Sequence, residues 1–110
     1  MPIDDDEIEK ALDYLRDNSD AAAQASANRA YLTEYRKVLK AQLMKESKSD
    51  ALAAQERDAY AHPNYIDFLA GLKEAVYQDM RHKFLLEAAS AKIDAWRTEQ
   101  STQRAMWKIV

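Results

Sequence analysis

The two histidines, His62 and His82, are the side chains in this chain best suited to chemistry. Asp58 precedes His62 by four residues and Asp79 precedes His82 by three, so on a helix each pair shares a face. A metal site would need the two pairs to converge on one ion. Nothing in the sequence brings them together, and no cysteine supplies a thiolate. His62 reads instead as a helix-junction residue, because it stands before Pro63. Ser26 and Ser90 lie in alanine-rich stretches and read as small interface residues rather than nucleophiles. With Gly71 as the only glycine, no GxGxxG, phosphate loop or GxSxG is possible. Carboxylates are numerous but spread along solvated faces, where no cleft shifts a pKa for general acid–base work. The residues point to a protein that is not an enzyme and needs no metal or other cofactor.

A basic and aromatic cluster is the stronger functional candidate. Arg29, Arg36, Lys37, Lys40, Lys45 and Lys48 make residues 21–48 positive, and Tyr31 and Tyr35 interleave with them. Two readings stand. The tyrosines stack on the bases of a single strand while the cations track its backbone, or the cations form a solvated face and the tyrosines pack inward on Leu39 and Leu72. Tyr14, Tyr60, Tyr65, Tyr77 and Trp107 fall outside the obvious apolar stripes. Tyr and Trp are enriched at protein interfaces, so a second copy of the chain or a different protein is expected to cover some of them. Trp96, Arg97 and Trp107, near the end of the chain, join Arg29, Tyr31, Tyr35, Arg36, Lys37 and Lys40 as candidate interaction residues.

The elements that must position these side chains are long helices, because breakers are almost absent. Between Asp4 and Lys45 nothing interrupts a helix. Carboxylates at Asp4, Asp5, Asp6 and Glu7 favour its start through the helix dipole, and Ile8, Leu12, Leu15, Ala22, Ala25, Leu32, Tyr35, Leu39 and Leu43 recur at helical spacings. A helix over about 4–46 is roughly 63 Å long at 1.5 Å per residue. Ser49 is the expected N-cap of a short second helix, 50–61. Pro63 suits the first turn of a third, 63–107, with Ile66, Leu69, Leu72, Val76, Met80, Phe84, Ala88, Ala91, Ala95 and Trp96 as its apolar stripe. Gly71 lies inside that helix, where it leaves room for a neighbouring backbone or tyrosine.

Two helices of similar length joined by a short connector fold back antiparallel. That arrangement sets the acidic head beside the basic tail, and Ala21–Ala27 near Ala88–Ala91. It faces Ile8, Leu12 and Leu15 toward Trp96 and Met106, and Leu39 and Leu43 toward Ile66 and Leu69. The expected fold is therefore all-α: one helical domain, a long antiparallel, coiled-coil-like hairpin with a short connecting helix.

Charge narrows the partners. Residues 1–20 hold eight acids and two bases, residues 21–48 six bases and two acids, and the whole chain carries −3. An acidic balance disfavours a dedicated nucleic-acid binder. No apolar run reaches the roughly 20 residues of a membrane span, and the acidic N-terminus lacks the pattern of a secretion signal. A cytoplasmic protein without a membrane role is expected.

Three segments carry a family resemblance: Arg29-Ala30-Tyr31-Leu32-Thr33-Glu34-Tyr35-Arg36, Ala61-His62-Pro63-Asn64-Tyr65 and Ala91-Lys92-Ile93-Asp94-Ala95-Trp96-Arg97. Over most of residues 8–104 the chain resembles small helical proteins of tailed phages and prophages, encoded near recombination and replication genes. The resemblance implies a non-enzymatic protein-interaction module in the cytoplasm of a bacterial host, an accessory to DNA recombination or replication. Two other expectations stand beside it. One is single-stranded nucleic-acid binding through the Tyr31, Tyr35, Arg36 and Lys40 face. The other is inhibition of a host defence or host enzyme, with acidic residues 4–20 mimicking a polyanion.

Overall fold

The computed structural model describes residues 2–109, which form three helices and, among the described residues, no strand. Helix α1 runs Asp5–Glu46, α2 Leu52–Ala61 and α3 Pro63–Ile109. The architecture is a helical hairpin: two long helices joined through a short one.

Each boundary has a local cause. At the head of α1 the Asp4 carboxylate accepts the Glu7 N–H at 2.8 Å, and the Glu7 carboxylate accepts the Asp4 N–H at 3.2 Å. This reciprocal capping box satisfies two N–H groups that no helical carbonyl can reach. Between α2 and α3, His62 has an extended backbone, as a residue before proline should. It also caps α3: its Nδ1 accepts the Asn64 N–H at 3.0 Å, and its carbonyl accepts from Tyr65 and Ile66.

The start of α2 corrects the sequence expectation. Ser49 is not its N-cap; Ala51 holds that position without a side-chain bond, and the helix starts at Leu52. Asp58 is the reason. Its carboxylate draws in the Ser47 hydroxyl (2.6 Å) and the Ser49 hydroxyl (3.3 Å), while Gln55 Nε2 donates to the Ser49 carbonyl. With its hydroxyl and carbonyl both engaged by α2, Ser49 stays in the connector.

Contacts divide the chain into two compact units. One is Gln24–Met80; the other joins the start of the chain, as far as Ala23, with the segment from Arg81 onward. In Gln24–Met80 the antiparallel pairing is fixed by Arg29 against Asp79 at 3.1 Å, by the Tyr35 and Phe68 rings at 5.9 Å, and by a core of Leu43, Ala59 and Tyr65 with Leu39 and Met44 against it. In the other unit the Ile3 N–H donates to the Glu99 carboxylate at 3.1 Å, and Ile8 and Ala11 are buried.

The facing residues differ from expectation mainly on α3. The stripe expected to pack leaves Ile66, Leu69, Met80 and Phe84 exposed. Within Gln24–Met80 the packed positions are Tyr65, Phe68, Leu72, Ala75 and Asp79; within the other unit they are His82, Leu86, Ala89, Ile93 and Trp96. These alternate by three and four, the spacing of a coiled-coil seam. So Leu43 meets Tyr65, not Ile66 or Leu69. On α1, Ala11 is buried in place of Leu12, and Leu12 is 52% exposed. Met106 is likewise exposed rather than facing the head of α1. Ala88 and Ala89 share a groove with Ala11 and Tyr14. Gly71 admits no neighbour, since a Cβ built there meets nothing within 4 Å.

Candidate functional site

At the bend, α2 is held to both long helices by a polar and aromatic knot. Ala59 is wholly buried against Leu43 and Tyr65. The Tyr60 ring meets Tyr65 edge-on at 5.2 Å, and the Lys40 ammonium sits 5.0 Å above the centre of the Tyr60 ring while donating to Glu56 at 3.3 Å. Tyr60 first, and Glu56 second, hold the Lys40 pKa above the ordinary lysine value. The Asp58 carboxyl lies below the usual carboxylate value, chiefly because Ser47 donates to it, with Arg57 and Ser49 adding to the effect.

These contacts decide what the basic and aromatic cluster is free to do. Arg29 is half-buried and paired with Asp79. Lys40 is tied to Glu56 and Tyr60. Lys37 pairs with Glu34 on its own helix at 3.2 Å. Tyr35 packs on Phe68, and Tyr31, 65% exposed, lies stacked on Tyr35 at 6.1 Å. Arg36 is exposed, with no ion pair or hydrogen bond among the described residues. Within the cluster Arg29, Tyr35 and Lys40 dock α2 and α3 on α1, while Arg36, Lys37, Lys45 and Lys48 lie exposed. A single exposed tyrosine, Tyr31, is a poor match for a nucleic-acid strand, which needs successive stacking platforms.

The other sequence candidates lie apart from these. Trp96 is half-buried with its Nε1 enclosed and without a hydrogen-bond partner among the described residues, as is Nδ1 of His82. Arg97 is exposed beside Asp94 at 4.0 Å, and Trp107 is 82% exposed near the end of α3. His62 and Asp58 serve the bend, while Asp79 pairs with Arg29. No group of three or more His, Asp or Glu side chains among the described residues is placed to hold a metal. No helix of the described residues is long and apolar enough to cross a membrane.

Two further surface features stand out among the described residues. The first is an open groove of about 480 Å³, floored by Ala11, Ala88 and Ala89 and flanked by Tyr14, Lys10 and Lys92. Its size falls in the range of ligand sites, but its floor offers no convergent polar groups, and Lys10 is bound to Asp6 at 3.0 Å. The second is an apolar strip on α3 within Gln24–Met80: Ile66 (56% exposed), Leu69 (42%), Tyr77 (57%) and Met80 (41%), with Lys73 at its middle. At about 100° per residue these five positions fall within about 40° of one line along the helix. Isolated apolar residues on a surface are ordinary, whereas a contiguous strip marks an interaction site. The sequence contains the signal, since Ile66, Leu69 and Met80 are in its apolar stripe. Periodicity places that stripe in the core because it does not say which of two stripes a helix buries.

No family model, no curated protein and no solved structure matches the chain.

Proposed function

We propose that the protein is a non-enzymatic protein-interaction module that presents the α3 strip Ile66–Met80 to a protein partner. The observation that carries this reading is that four large apolar side chains stay open on one helix face, while the hairpin buries a neighbouring face instead. Removing such a strip from water is the main driving force of protein association, and an amphipathic helix face docks by i, i+3, i+4 and i+7 anchors. The segments resembling small tailed-phage proteins suggest the setting: an accessory to DNA recombination or replication that acts by holding another protein. Direct strand binding gains little support from a cluster in which Tyr35 and Lys40 are already engaged.

A photo-crosslinking residue at position 77 tests this in cells that make the protein. The expected result is one discrete protein adduct, absent when the crosslinker sits at exposed Ala23. No adduct at position 77, or equal adducts at both positions, overturns the reading.

A further inference from the structure

Near its end α3 carries a hollow of about 500 Å³ lined by Trp96, Arg97, Gln100, Ser101 and Arg104. It lies in the unit that joins the start of the chain with the segment from Arg81 onward, and it shares no residue with the strip Ile66–Met80. All five side chains carry an N–H or O–H donor, and none carries a carboxylate. In a chain with 19 acids against 16 bases, that composition is the less expected kind. The groove floored by Ala11 includes Glu7, and a hollow beside Pro2 includes Glu99, which accepts the Ile3 N–H. Arg97 and Arg104 stand seven residues apart, within about 20° of one line along the helix. Arg104 donates to the Ser101 hydroxyl at 3.4 Å and has no carboxylate partner among the described residues. Arg97 has Asp94 at 4.0 Å, with both side chains exposed.

Two guanidinium groups among donors, with no acid beside them in the hollow, suit an oxyanion. We propose that this hollow binds a small phosphate monoester, whose dianion Arg97 and Arg104 share. Charge selects the ester. Near neutral pH a phosphate monoester carries about −1.5 to −2, which two arginines balance, whereas a carboxylate or a nucleic-acid diester carries a single charge. Geometry selects it as well, because each guanidinium fork matches two phosphate oxygens. The donor side chains also outnumber the two oxygens of a carboxylate. Arg97 can leave Asp94 readily, since an exposed pair of that kind is weak. The Trp96 N–H is a further donor, having no acceptor among the described residues. The volume falls in the range of small-ligand sites and leaves room for the organic part of the ester beside Trp96. The proposal does not rest on the interaction-module reading, which concerns the other unit.

The test titrates the full, isotope-labelled chain at fixed ionic strength with phenyl phosphate and, in parallel, with dimethyl phosphate as the singly charged diester. The reporters are the NMR signals of the Trp96 indole N–H and of the Arg97 and Arg104 Nε–H groups. Phenyl phosphate should move them saturably, with half-saturation at a concentration about tenfold or more below that of dimethyl phosphate. The Trp107 indole, eleven residues further on, should stay still. Lowering the pH from about 7.5 to about 5 should weaken binding several-fold, because the ester then takes up its second proton, and no histidine lines the hollow. Arg104→Gln should weaken binding by about tenfold. Arg81→Gln makes the same charge change at another exposed site on α3 and should leave binding unchanged. Both arginines are exposed, so circular dichroism should show the helices intact. No saturable shift with phenyl phosphate overturns the proposal. Equal affinity for the two phosphates overturns it, as does equal weakening by Arg104→Gln and Arg81→Gln, since either result reports general charge and not a site. Binding seen only with vesicles that contain phosphatidic acid overturns it too and assigns the surface to lipid.

Discussion

Gly71→Ala should stabilise this protein, and the size of the gain follows from its surroundings. Gly71 is exposed, in the interior of α3, with a negative φ. A Cβ added there meets nothing within 4 Å, so the new methyl neither clashes nor gains packing. What remains is the backbone term: glycine loses more freedom than alanine on entering a helix, by about 0.5–1 kcal/mol. For a chain near 100 residues that raises Tm by roughly 2–8 °C. In urea the midpoint should rise by about 0.2–1 M at an unchanged slope. Circular dichroism melts and urea titrations at one protein concentration measure both. Ala75→Gly, one turn further on and 5% exposed, gives the contrast. There the same backbone term acts in reverse and packing is also lost, so destabilisation of at least about 1 kcal/mol is expected. Two residues along a helix point to nearly opposite sides of it. Gly71 therefore faces away from Lys73, and Gly71→Ala should not alter association through the strip. A midpoint that stays still or falls would refute the reasoning, because it would mean that the missing Cβ makes room for something.

Tyr65→Ala should cost about 3 kcal/mol or more, read as a drop in urea midpoint, because it empties the core between Leu43 and Ala59 and removes two ring contacts. Asp58→Asn should change the acid limb of stability. The Asp58 carboxyl titrates lower in the folded chain than the ordinary value of 3.8, so its contribution is present above that pH and is lost as pH falls through the lower folded value. Thermal melts between pH 2 and 6 should therefore show a shallower acid decline for Asp58→Asn than for the wild type, together with lower stability at pH 6.

The helical elements are legible along the chain because their causes are local. Sparse breakers, carboxylates at Asp4–Glu7 and the His62-Pro63 junction set α1, the bend and α3 to within about two residues. The Asp4-x-x-Glu7 capping box is also present as a pattern. The stripe of α1 is readable too, apart from Leu12, because that helix has a single apolar line. Where two lines compete, on α3, periodicity has no means of choosing. The larger aliphatics and aromatics, Ile66, Leu69, Met80 and Phe84, have the look of a core. The packed line holds Asp79 and His82 beside Tyr65, Phe68, Leu72 and Ala75, and Arg29 on another helix gives Asp79 a partner.

Ser49 shows the same division on a smaller scale. A serine before a helix-forming run is a good cap by local rules, but Asp58, nine residues on, claims its hydroxyl. The sequence leaves open whether Tyr35 packs inward or stacks on a strand and names no partner for Lys40; in the fold Tyr35 packs on Phe68, and Lys40 is engaged by Tyr60 and Glu56. The sequence alone determined that this chain is helical and breaks at His62-Pro63, since both follow from backbone preferences acting over a few residues. Tertiary structure decided which face of α3 is buried and therefore which face is left open. That choice depends on partners distant along the chain, and the open face is the one on which the proposed function rests.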